Sequence, residues 1–218
     1  MKHTLLLPLI LFSSMSFAQT AKDYFFPASD KNLSVYKTID PQGNYENGLT
    51  TKIYFKDEGD SAIITTQSNG VSWENDQLVG GKGIWEQSVK INELEILAFE
   101  GKTNAFNGVE TFNKGGEIIF KIPSAKSEKV EWENQDQKGT MVKTHLSEFS
   151  EIKVDGKKRK AVKVTTILKR KRSGKRENFY VDYYVAGIGR YKQTTPNGDL
   201  TLEVLSDQSF EANPPAVK

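Results

Sequence analysis

The chain has 218 residues, no cysteine, and 30 basic against 28 acidic residues, which gives a net charge of +2. Without cysteine it can form no disulfide and carry no lipid on a leader cysteine, so burial alone must hold the fold. His145 is the single histidine after residue 18, which makes a zinc site improbable. A chain of this length can bury a sizeable core as one domain.

The first 18 residues have the pattern of a secretory signal peptide. Lys2 gives a basic start, an apolar run covers residues 5–12, and Ser16-Phe17-Ala18 ends the segment in a small-x-small pattern. Pro8 interrupts the apolar run, which falls short of the roughly 20 residues that span a bilayer. We therefore predict cleavage after Ala18 and a periplasmic or secreted protein.

Short apolar segments bounded by Gly, Asn and Ser fill the rest of the chain. Pro27 argues against a helix through the aromatic cluster at 24–27, and Gly80-Gly81-Lys82-Gly83 is predicted as a loop. Residues 93–99 fit either a strand or one helical turn. The predicted strands cover residues 33–39, 50–55, 62–66, 84–91, 117–123, 129–133, 141–154 and 200–210.

These spacings predict a mainly-β fold, built as a single curved antiparallel sheet (a half-barrel) with little helix. One domain is expected over residues 19–210, followed by a mobile tail over 211–218.

The clearest pattern is a long hairpin over residues 161–195. A two-residue turn at Ser173-Gly174 would place Leu168 opposite Phe179. That register predicts one apolar face, with the lysines on the other face. The apolar face would consist of Val162, Val164, Leu168, Phe179, Val181, Tyr183 and Val185.

Two stretches resemble a pattern of exported bacterial proteins. They are Asp23-Tyr24-Phe25-Phe26-Pro27, followed by Val35-Tyr36-Lys37, and Tyr183-Tyr184-Val185-Ala186-Gly187-Ile188-Gly189-Arg190-Tyr191-Lys192. The chain is thereby similar to the curved half-barrels of the lipoprotein carriers LolA and LolB, which implies the fold and says little about function. It departs from them in having Tyr36 where tryptophan is usual, and LolB's lipid-attachment cysteine is missing. From the residues themselves, Gly187 and Gly189 are expected to bend a long strand sharply.

Catalytic chemistry is weakly represented. No Gly-x-Ser-x-Gly elbow is present, and His145 is predicted as a surface histidine on a strand. Glu131 and Glu133 could form a pair of catalytic carboxylates of the glycosidase type. Two acids at this spacing are also what any solvated strand face shows, and that is the favoured interpretation. We expect no enzyme, no metal and no cofactor.

The apolar hairpin face suggests a binding function. If the sheet curves, its concave side forms a trough that is either a filled core or a site for an acyl chain. The residues expected to bind are Val164, Leu168, Phe179, Val181 and Tyr183. The favoured interpretation is a non-enzymatic binding or carrier protein for a lipid or other apolar or amphiphilic ligand.

The alternative function uses charge. Residues 153–176 contain 12 basic residues and one acid, whereas the rest of the chain after residue 18 has 17 basic and 27 acidic residues. This predicts one positive end, which either protects a sheet edge or contacts an anionic envelope surface or protein partner. Nucleic acid is the least expected partner. The expected contact residues are Lys169, Arg170, Lys171, Arg172, Lys175 and Arg176.

Overall fold

A computed structural model describes residues 19–28, 33–39, 45–74, 77–105, 108–135, 139–174, 176–194 and 201–204. The predicted signal peptide and C-terminal tail lie outside these described residues. The elements are α1 (Ala21–Phe25), β1 (Leu33–Ile39), β2 (Tyr45–Asp57), β3 (Ser61–Glu74), β4 (Gln77–Ile91), β5 (Glu95–Ala105), β6 (Gly108–Lys121), β7 (Lys129–Gln135), β8 (Met141–Val154), β9 (Lys157–Arg170), β10 (Arg176–Val185), β11 (Gly189–Thr194) and β12 (Thr201–Val204).

The strands form two antiparallel sheets. The first sheet has seven strands in the order β12-β1-β2-β3-β4-β5-β6, and the second has five in the order β11-β10-β9-β8-β7. Almost every strand therefore pairs with its neighbour in the chain, as expected for a meander of hairpins. The prediction of a mainly-β fold with little helix is confirmed, but the strands divide into two sheets where a single sheet was expected.

Several strand predictions match the observed elements. The segments predicted at 33–39 and 141–154 coincide with β1 and β8, and residues 95–99 of the ambiguous segment belong to strand β5. The loop predicted at Gly80–Gly83 is wrong, because these residues lie inside β4 and pair with residues 68–71 of β3. The hydrogen bonds between strands use backbone groups, and glycine has these groups like any other residue. The long β3–β4 hairpin therefore overrides the weak strand preference of glycine.

A short helix precedes the sheets. Thr20 caps α1, since its backbone N–H donates to Asp23 Oδ2 at 2.7 Å while the Asp23 N–H donates to Thr20 Oγ1 at 3.4 Å. The helix contains Tyr24 and Phe25 but stops ahead of Pro27. The aromatic cluster is therefore partly helical, which Pro27 argued against, because proline mainly disfavours the α conformation of the residue before it, here Phe26, which is extended with ψ 151°.

The two stretches that carry the resemblance pack on each other. The N–H of Gly187 donates to the Asp23 carbonyl at 2.8 Å, and the Ala28 N–H donates to the Gly187 carbonyl at 2.9 Å. Gly187 and Gly189 do not bend one strand as expected. They flank the turn between β10 and β11, so the chain reverses there and offers this turn to the end of α1.

The core lies between α1 and both sheets. Phe120 of the first sheet packs its ring 4.5 Å from that of Tyr184 of the second sheet, and Phe25 of α1 lies 5.3 Å from Phe120. Burying each such ring contributes roughly 1.5–3 kcal/mol. The buried residues of this core are Ala21, Tyr24, Phe26, Ala62, Ile64, Val89, Ile96, Phe120, Ile122, Trp132, Val162 and Val164.

Candidate functional site

The β9–β10 register differs by one residue from the predicted register. Leu168 lies opposite Asn178, and Phe179 lies opposite Ile167. The connection covers residues 171–175 and is closed by the Gly174 N–H donating to the Arg170 carbonyl at 2.7 Å, with a bulge between Arg176 and Asn178. A five-residue connection and a bulge shift the pairing, so the predicted two-residue turn is wrong.

This shift separates the residues that were expected to bind a ligand together. Val164 and Leu168 share one face of the sheet, and Phe179, Val181 and Tyr183 lie on the other face. Val164 is only 4% exposed and belongs to the core between the sheets. The face that contains Val164 is called the inner face here, and the predicted five-residue trough does not exist on it.

The inner face of the second sheet carries a polar row, which consists of Asn134, His145, Thr166, Tyr180 and Asp182. His145 lies opposite Thr166, and Thr166 lies opposite Tyr180. The prediction of a surface histidine is wrong, since His145 is 8% exposed and stacks on Trp132 with ring centroids 4.9 Å apart. Its strand β8 lies between β9 and β7, and its side chain lies on the inner face.

The hydrogen bonds of the polar row run in one direction. The Asn134 Nδ2 donates to the Ile118 carbonyl at 2.7 Å and lies 3.4 Å from His145 Nε2. His145 Nε2 must then accept, so its proton is on Nδ1 and is donated to Thr166 Oγ1 at 2.9 Å. The Thr166 hydroxyl in turn bonds the Tyr180 phenol. Each member of the polar row that is named here thus has a partner, which is the condition for burying it, whereas the buried Ser147 Oγ on the same face has none among the described residues.

Burial shifts the ionisation of three groups in the row. Burial, helped by the Lys143 ammonium, lowers the pKa of His145 to about 4, so the imidazole is neutral at physiological pH. Burial raises the pKa of Asp182, although Arg190 and a hydrogen bond from Gln193 Nε2 at 2.9 Å oppose the rise. The pKa of Tyr180 is also raised, first by burial and then by Asp182.

Trp85 marks an open part of the inner face of the first sheet. Thr66 of β3 lies opposite Trp85, in the same uninterrupted register that pairs the core residues Ala62 and Val89. Alternate residues of a strand share a face, so Trp85 points to the inner side. It is nevertheless 39% exposed. The space next to the inner face is therefore not filled by core packing at Trp85.

The basic segment does not form one positive end. Strand β9 separates the cations at its β8–β9 end, among them Lys157 to Lys160, from those near the β9–β10 connection. Fourteen residues of strand extend about 45 Å. The basic tip (residues 169–176) remains: Lys169 to Gly174 are exposed, and the side chains of Lys175 and Arg176 lie outside the described residues.

Comparisons with known proteins identify no family for the chain. No protein-family model, no curated protein and no solved structure matches the chain. The similarity to lipoprotein carriers therefore stays a prediction. In the part of the chain that the structure describes, no helix has the length and apolar character to cross a membrane, and no group of three His, Asp or Glu side chains is placed to hold a metal.

The polar row and Trp85 escaped sequence reasoning for one reason. His145 was predicted on the surface, and the predicted hairpin register placed Asp182 on the lysine face, because Val181 and Tyr183 flank it. Both faces of the second sheet carry apolar residues, so alternation alone did not say which face was inner. One local sign of the polar row was present in the sequence. The aromatic Tyr180 and the acidic Asp182 are two residues apart on one strand, so they share a face.

Proposed function

We propose that the chain is an exported, non-enzymatic binding or carrier protein that takes an apolar or amphiphilic ligand between the inner faces of its two sheets. The observation that carries this proposal is Trp85, an aromatic side chain that points inward and is still 39% exposed. Large aromatic groups in open concave places are typical of ligand sites. The ligand would cover Trp85 and remove it from water.

The character of the inner face supports an amphiphilic ligand. Phe120, Ile96 and Tyr184 form an apolar region where α1 closes the space, and the polar row follows along the second sheet. Apolar surface gives binding free energy, and a few fixed polar groups give orientation. Arg190 and Tyr180 are the half-buried donors that a ligand headgroup would meet.

A titration with dodecyl maltoside below its critical micelle concentration tests this function. We expect tryptophan fluorescence to shift to the blue in the wild type and this shift to be lost in Trp85→Phe. A neutral amphiphile is chosen so that charge does not contribute. Trp132→Phe is the matched control, because Trp132 is already buried and should leave the shift in place. An equal shift in wild type and Trp85→Phe refutes the site.

The exported location rests on residues 1–18. If the leader is removed after Ala18, the intact mass of protein recovered from the periplasm or medium will correspond to a chain that starts at Gln19. Recovery of the full-length mass from the cytoplasm contradicts export and leaves the binding proposal untouched.

A second candidate function is contact with an anionic surface through the basic tip. Every described residue from Lys169 to Gly174 is exposed, and the Lys171 N–H donates to the Thr140 carbonyl at 2.8 Å, which anchors the tip on the neighbouring connection. Exposed cations each contribute about 1 kcal/mol near an anionic membrane at low salt.

Matched quadruple variants test the tip. Lys169, Arg170, Lys171 and Arg172 changed to Gln should abolish binding to phosphatidylglycerol vesicles. Lys157, Lys158, Arg159 and Lys160 changed to Gln remove the same charge at the other end of β9 and should leave binding largely intact. Binding should fall as salt rises, since screening acts over about 8 Å at physiological ionic strength. Equal loss in both variants shows that net charge, rather than the tip, is responsible.

A further inference from the structure

A second cavity lies on the inner face of the second sheet, at the end of β8 and β9 that is next to the start of α1. Its volume is about 540 Å³, and it opens between α1, the β8–β9 hairpin and the connection that follows β6. This volume is in the range of about 300–1,000 Å³ that small-molecule sites occupy. We call it the lysine cavity, and its main lining residues are Gln19, Tyr24, Lys126, Phe149, Glu151 and Lys160.

One wall of the lysine cavity is aromatic and fixed in place. The rings of Tyr24 and Phe149 lie 5.9 Å apart, and Tyr24 is almost completely buried. The Tyr24 hydroxyl donates to Gln19 Oε1 at 2.6 Å, which holds the ring with its polar atom satisfied. The wall therefore presents the partly exposed ring of Phe149, which the buried Tyr24 holds in place from behind.

The other wall is positively charged. Lys126 comes from the connection after β6, and Lys160 from β9. Glu151 is the acid of the lining, and its carboxylate already pairs with Lys158 at 3.7 Å. No acid of the described residues pairs with Lys126 or Lys160. Two cations next to apolar ring surface match a ligand with one anionic group and an apolar body.

We propose that the lysine cavity binds a small amphiphilic monoanion, namely a carboxylate with an apolar tail. The tail packs on Phe149, and the carboxylate is held by the ammonium groups of Lys126 and Lys160. The site is independent of the space at Trp85. The protein would then have two sites of different charge preference, one between the sheets and one beside α1.

Calorimetric titration with dodecanoate below its critical micelle concentration tests the site. The charge preference is measured by repeating the titration with dodecyltrimethylammonium, which has the same tail and the opposite charge. We expect dodecanoate to bind more tightly than the ammonium compound, which can still enter the space at Trp85 but gains nothing from the two lysines. The double variant Lys126→Gln with Lys160→Gln should weaken dodecanoate binding by about tenfold, since two partly exposed ion pairs are removed.

The control variant is Lys153→Gln with Lys157→Gln, which removes the same charge, here from the β8–β9 hairpin, without touching the cavity. It should bind dodecanoate as the wild type does. The variant Phe149→Leu keeps an apolar side chain in the core but removes the ring, so it should weaken dodecanoate binding. The double lysine variant measures the effect of charge separately.

Three results overturn the proposal: no binding of dodecanoate to the wild type, equal binding of the ammonium compound, or equal affinity in the Lys126 and Lys160 variant. Loss of dodecanoate binding in Trp85→Phe would also overturn it, because the ligand would then lie between the sheets. Failure of the dodecyl maltoside titration, by contrast, refutes the proposed function and leaves the lysine cavity standing.

Discussion

Two regions of the same inner face differ sharply although they share strands. Near α1, β8 and β9 present Phe149 and Val162, which the helix and the first sheet cover. Four residues along each strand, the same face presents His145 and Thr166. The covered region is held by apolar burial, and the polar row is held by hydrogen bonds among its own members. A face of one sheet can therefore change from core to polar network within about 13 Å.

The largest effect is expected in the covered region. Phe120→Ala removes a fully buried ring that lies 4.5 Å from Tyr184 and 5.3 Å from Phe25. We expect a loss of about 3–5 kcal/mol in the free energy of unfolding, measured by urea denaturation. Phe99→Ala is the control, because Phe99 is 39% exposed and should cost about 1 kcal/mol or less. Similar losses in both variants contradict a core centred on Phe120.

The polar row should make stability depend on pH. Because the pKa of His145 is lowered from 6.5 to about 4, the unfolded chain takes up a proton before the folded protein does. The contribution is present above pH 6.5 and is lost as pH falls towards 4, amounting to roughly 3 kcal/mol. The variant His145→Gln can form hydrogen bonds but does not titrate in this range. It should therefore remove this part of the decrease in unfolding free energy with falling pH. If the unfolding free energy of the wild type and of the variant falls equally between pH 6.5 and 4, His145 is not buried as described.

An intermediate effect is expected where α1 meets the β10–β11 turn. Gly187 and Gly189 both have positive φ, of 74° and 84°. A Cβ at Gly189 would lie 3.0 Å from the Phe25 carbonyl oxygen, whereas one at Gly187 would meet nothing within 4 Å. Gly187→Ala should cost about 1 kcal/mol for the backbone conformation alone, and Gly189→Ala about 2 kcal/mol or more. Thermal melts that rank the two variants in the opposite order would place the helix elsewhere.

The smallest effect concerns Asp182. Its raised pKa means that the folded protein holds the proton more tightly than the unfolded chain, so its contribution is full below pH 3.8 and is lost as pH rises through the folded pKa. At pH 7 the buried carboxylate is unfavourable, and Asp182→Asn should stabilise the protein by on the order of 1 kcal/mol. The gain should shrink as pH falls. A variant that is less stable than the wild type at pH 7 would show that Arg190 outweighs burial.

Local patterns in the sequence predicted the strands, whereas the pairing depended on connections. Short apolar segments bounded by Gly, Asn and Ser were enough for β1 and β8, whose bounds were predicted to the residue. The β9–β10 register failed because a closed five-residue connection and a bulge near Asn178 leave no trace in alternation. The division into two sheets also depends on long-range packing.

The sites were harder to predict than the fold. The basic tip was visible as a run of charge, but the sequence could not show that β9 carries Lys157 to Lys160 to the opposite end of the sheet. Trp85, Lys126 and Tyr24 lie far apart in the chain, and only the packing of α1 brings Tyr24 next to Phe149. A site assembled from several elements has no local sequence signal.

The central claim is that the space at Trp85 is open and receives a ligand. Acrylamide quenching of tryptophan fluorescence, measured with and without bound dodecyl maltoside, tests it most directly. We predict that the ligand lowers the quenching constant of the wild type, because it covers Trp85, and leaves that of Trp85→Phe unchanged. If the ligand binds and the quenching constant of the wild type stays the same, Trp85 does not line the binding site and the account is contradicted.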